Sequence, residues 1–67
     1  MRISYNKLWK LLIDKEMKKR DLAEKSGVSS ASIAKLSKGA NITTDVLLKI
    51  CETLHVHLED IMETIDD

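Results

Sequence analysis

Lys18 and Lys19 precede the serine-rich stretch DLAEKSGVSSASIAKLSKG, Asp21 to Gly39, and Lys35 and Lys38 lie near its end. Ammonium groups neutralise phosphate, and hydroxyls both donate and accept. The chemistry this offers is recognition of an anionic surface. Lys7, Lys10, Lys15 and Lys25 read instead as ordinary solvated helix lysines. Cys51, His55 and His57 are metal-ligating types, and Cys51 and His55 share one helical face at a spacing of four. A structural zinc site needs four ligands, and no fourth is apparent. Cys51 fits an apolar stripe, and the two histidines sit where a helix ends. No metal or cofactor is expected. No spacing sets a nucleophile beside a base and a third orienting group, so no catalysis is expected. Trp9 has the ring to stack on a base, but its place on an apolar stripe makes it a core residue.

These groups need rigid elements under them. Ala23, Gly27, Ile33 and Leu36 have the spacing of two short helices packed across a tight turn. Ala23 is small enough for a close helix crossing, and Gly27 can adopt the positive φ that ends a helix. Val28 plugs the turn, and Leu22, Ile33 and Leu36 face inward. This is a helix-turn-helix over residues 19–38, whose second helix commonly enters the DNA major groove. The periodicity predicts five helices, at about 5–15, 19–26, 30–38, 44–54 and 58–65. Tyr5, Leu8, Trp9 and Leu12 form the first stripe, broadened by Leu11 and Ile13, with Ser4 as N-cap. Leu47, Ile50, Cys51 and Leu54 form another. Leu58, Ile61, Met62 and Ile65 repeat it. Leu58 and Ile61 are assigned to the core, Met62 and Ile65 to a possible dimer surface.

Sixty-seven residues make one domain, residues 1–67. A chain this short buries only about 60% of its unfolded surface, which leaves little room for a catalytic cleft. No apolar stretch approaches the ~20 residues of a membrane span. A lone cysteine makes no internal disulfide, and the cytoplasm is the expected address. The net charge of zero conceals an asymmetry. Residues 1–40 hold ten Lys/Arg against four acids, a net of +6, and residues 41–67 hold Lys49 against seven acids, a net of −6. The helix-turn-helix lies in the basic part, where attraction to phosphate is useful.

The segment Asp21–Gly39, with its continuation TTDVLLKICETLHVHLEDIM from Thr43 to Met62, resembles the Cro and phage-repressor (XRE-like) helix-turn-helix DNA-binding family. The resemblance implies an all-α, compact five-helix lambda-repressor-like domain. It assigns base reading to Ser29, Ser30, Ala31 and Lys35, and phosphate contact to Lys18, Lys19, Ser32, Lys38 and Asn41. Lys19 stands where the family often has a glutamine; it keeps the phosphate contact and loses the amide that braces a base-reading side chain. Ser30 can bond either base type, Ala31 offers a methyl contact to thymine, and Lys35 reaches guanine acceptors. Long amides or arginines at those places would each supply ~1–3 kcal/mol of discrimination. Serine and alanine supply less. DNA shape then carries much of the specificity, or affinity is modest, or the partner has changed.

The expectation is a sequence-specific transcriptional regulator, a repressor acting by occupancy as a homodimer on double-stranded DNA, with no small-molecule effector and no membrane. The competing expectation is a protein-binding adaptor or antitoxin of the same fold, working through the acidic 41–67 part.

Overall fold

The computed structural model describes residues 1–66. In chain order the elements are β1 (Arg2–Ser4), α1 (Asn6–Asp14), α2 (Lys19–Ser26), α3 (Ser30–Lys38), α4 (Thr44–Leu54), a single 3₁₀ turn (Leu58–Asp60) and β2 (Glu63–Ile65). The fold is therefore mostly helical, with four α-helices and one small antiparallel sheet. Arg2 pairs with Ile65, Ile3 with Thr64 and Ser4 with Glu63.

The helices stop for visible reasons. Gly27 and Gly39 take left-handed φ values of 75° and 70° at the ends of α2 and α3. Two residues that carry a side chain do the same work. Glu16 (φ 55°) follows α1 and His55 (φ 57°) follows α4. In both cases the next amide reaches back five residues, Met17 to the Leu12 carbonyl at 2.9 Å and Val56 to the Cys51 carbonyl at 3.0 Å. These bonds satisfy carbonyls that a helix end would otherwise leave unpaired. Thr43 caps α4 by accepting the Val46 amide at 3.4 Å.

One core joins the four helices. Tyr5, Leu8 and Leu12 come from α1 and its entry, Leu22 from α2, Ile33 and Leu36 from α3, and Leu47, Ile50, Cys51 and Leu54 from α4, with Val28 and Ile61 closing it. Trp9, Met17, Ala23 and Met62 are half-buried against it.

Several expectations need correction. Ser4 does not cap α1: Tyr5 holds that position, while the buried Ser4 hydroxyl accepts the Asn6 amide at 3.2 Å. Ile13 does not broaden the core stripe; it is 73% exposed. There is no fifth helix over 58–65. One helical turn forms, tightened to 3₁₀, and Asp60 caps it by accepting the His57 amide at 2.9 Å. The chain then extends into β2. A helix over 58–65 would set Glu63 and Asp66 against the dipole at its C-terminal end, and β-branched Thr64 and Ile65 suit a strand. Pairing satisfies the backbone groups of β1 as well. Lys7 secures the segment from α1, donating to the Glu59 carbonyl at 3.0 Å and facing the Glu63 carboxylate at 3.5 Å. Ile61 is buried, whereas Leu58 is exposed. Met62 packs on the molecule's own core and Ile65 is half-buried in the ladder.

Candidate nucleic-acid interface

α3 is fixed at both ends and along one side. Its N-cap is Ser29, whose Oγ accepts the Ser32 amide at 3.2 Å. Gly39 closes it, with the Ala40 amide bonded to the Lys35 carbonyl at 3.0 Å. Ile33 and Leu36 anchor it in the core. The turn ahead of it is equally ordered: the Ser26 hydroxyl donates to the Leu22 carbonyl at 2.7 Å and accepts the Val28 amide at 3.2 Å.

What remains outward on α3 is slim and carries no acid. Ser30, Ala31, Ala34, Lys35, Ser37 and Lys38 are all exposed. Lys35 and Lys38 lie in the last turn, where the dipole favours cations. The opposite holds on α2. Lys18, Lys19 and Arg20 crowd its N-terminal end, against the dipole, with Asp21 the acid of that first turn. Asp21 accepts the Lys18 amide at 2.9 Å and so fixes the start of the helix.

The structure gathers some of the expected residues and separates others. Lys19, Ser30 and Lys38 line one shallow groove between α2 and α3, together with Arg20, Ala34 and Ser37. Ala31 and Lys35 stand exposed on α3 outside that groove. Lys18 lies along the α1–α2 junction, a second groove that Trp9, Ile13, Lys19 and Arg20 also line. Asn41 is exposed in the loop after Gly39. Ser29 is committed to the cap, and its hydroxyl also donates to Ser32 Oγ at 3.1 Å. That leaves Ser30 as the first helical residue presenting an exposed hydroxyl.

Three neighbours of these residues were not singled out in the sequence. Arg20 extends the Lys18–Lys19 run, and its contiguity was the available signal. Trp9 and Ser37 carry no such signal, because they meet Lys19 only through the tertiary fold. The Lys19 ammonium lies 4.4 Å from the Trp9 ring centroid and donates to Ser37 Oγ at 2.9 Å.

Cys51 is buried in the stripe of α4, and burial, with Asp60's charge adding, pushes its thiol up. His55 and His57 are exposed. Among the described residues no three His, Cys, Asp or Glu side chains converge into a group able to hold a metal. No helix among them is long and apolar enough to cross a membrane.

Two helices joined by a glycine turn, the second outward-facing and basic, can now be set beside known proteins. Residues 7–67 match the sequence profile of the Cro/C1-type HTH DNA-binding domain. The chain belongs to this family. The solved structure of transcriptional regulator VanUg, Form II, is similar at 53% identity and a TM-score of 0.92, covering 98% of this chain and 88% of that one. No curated protein matches. As a Cro/C1-type domain, the chain is a DNA-binding helix-turn-helix regulator.

Proposed function

We propose that the chain is a sequence-specific repressor that binds its operator as a homodimer, with α3 in the major groove, and acts by occupancy. The observation that carries this reading is the acid-free outer face of α3, anchored from beneath by Ile33 and Leu36. A major groove about 12 Å wide accepts one α-helix, and small side chains allow close approach. Ser30, Ala31 and Lys35 read base edges. Ser29 contributes by fixing the helix start, its hydroxyl bonded to Ser32 rather than to DNA. Lys18, Lys19, Lys38 and Asn41 contact the backbone, and Ser32 supports them from the first turn. With so few long base-reading side chains, much of the specificity comes from DNA shape. One domain makes few phosphate contacts, so two copies on half-sites roughly 34 Å apart supply the rest. No catalytic step and no effector take part.

Selection of bound duplexes from a random pool tests this directly. Enrichment of a two-fold symmetric site, with two chains bound per duplex by sedimentation, is the expected result. Failure to enrich any duplex rejects it. One observation favours the adaptor reading: Leu48 and Leu58 are exposed on one groove beside Glu52 and Glu59, in the acidic part of the chain. Tight binding to a basic protein with no retention on DNA would favour that reading instead.

A further inference from the structure

We propose that Trp9 and Ser37 are positioning residues for Lys19, holding its ammonium as a ready-made phosphate clamp at the entrance to α2; this rests on the DNA-binding role of the α2–α3 pair argued above. The ammonium is where three helices meet. Trp9 comes from α1, Lys19 begins α2 and Ser37 belongs to α3. The ring face holds the cation at 4.4 Å, within cation–π range. Ser37 donates its own proton to the Ile33 carbonyl at 3.2 Å, so its lone pairs are turned toward Lys19, whose Nζ lies 2.9 Å away. A lysine ammonium has three N–H donors. One goes to Ser37 and the Trp9 ring covers a second side. The third remains available, and Lys19 is exposed.

An unrestrained lysine loses its rotamer freedom when it grips a phosphate. Lys19 has already lost much of it. The arrangement also answers why a cation is kept at the dipole-disfavoured end of α2. Because Ser37 is on α3, the same contact ties the clamp to the helix that reads bases, so backbone grip and helix register move together.

The test uses the whole chain and a labelled random-sequence duplex about three helical turns long, titrated by anisotropy over a range of salt. Melting by circular dichroism checks that each variant is folded. Ser37→Ala should weaken binding by about two- to tenfold, the factor expected for re-ordering one long side chain, with an unchanged salt slope. Lys19→Met should lower the slope by about 0.9, one phosphate contact. In the Lys19→Met background, Ser37→Ala should have no further effect, and Ser37→Thr should restore wild-type affinity when Lys19 is present. Equal weakening by Ser37→Ala in both backgrounds, or none in either, overturns the positioning role. Absence of any duplex binding by the wild-type chain overturns the DNA-binding reading itself, a distinct outcome.

Discussion

Ile33 and Lys35 stand two residues apart on α3 and face opposite ways: Ile33 is 5% exposed within the core, while Lys35 projects into solvent. A single helix thus holds the core with one face and leaves the other open to solvent. The division makes stability and DNA binding separately addressable by mutation.

Lys35→Glu reverses the charge of an exposed side chain. Because Lys35 sits in the last turn of α3, the reversal also opposes the helix dipole and should lower stability by about 1 kcal/mol, leaving the chain folded. Duplex binding should nevertheless be lost, because an acid would then face phosphate and guanine acceptors. Binding that survives shows that α3 is not the reading helix.

Ile33→Ala acts from the other side. Removing the buried side chain should cost about 2–5 kcal/mol through lost burial and the cavity left behind. A chain this small has little stability in reserve, so chemical denaturation should find much of it unfolded. Unaltered stability would refute the packing of α3 on the core.

Gly27 lies at φ 75° with nothing within 4 Å of where a Cβ would stand. The cost of Gly27→Ala is therefore conformational rather than steric, about 1–2 kcal/mol. Gly27→Asn should cost less, because asparagine tolerates the left-handed region. Denaturant midpoints that place asparagine below alanine contradict this.

Burial raises both the Tyr5 phenol and the Cys51 thiol, with Asp60's charge adding to the latter. The unfolded chain therefore deprotonates first. Stability should hold below the thiol's ordinary value of 9.0 and fall as pH climbs past it and past tyrosine's 10.0. Melting temperatures that rise over that interval would contradict the burial of both groups.

α1 and α4 are legible because their apolar residues recur with the helical period. Leu8 and Leu12, or Ile50 and Leu54, fall on one face and are buried there. The C-terminal segment was misread by the same rule. Leu58, Ile61, Met62 and Ile65 fit a helix as well as any stripe, and periodicity alone cannot report that Arg2–Ser4 waits as a strand partner sixty residues earlier. Within the interface, the lysines and serines were visible as chemistry. Their division among cap, groove and the contacts of Lys19 was not. Ser29 and Ser30 are identical neighbours, and only the backbone geometry at the start of α3 decides which one bonds its own helix. The meeting of Trp9, Lys19 and Ser37 is likewise set by how α1, α2 and α3 cross, which no local spacing encodes.

The small sheet has a mechanical consequence. Because the two strands run antiparallel and Arg2 faces Ile65 at its outer end, tension applied through the chain's two tails loads one residue pair at a time and unzips the ladder instead of shearing it. The seam should part under low force while the four helices stay packed, which makes it the first place the molecule yields.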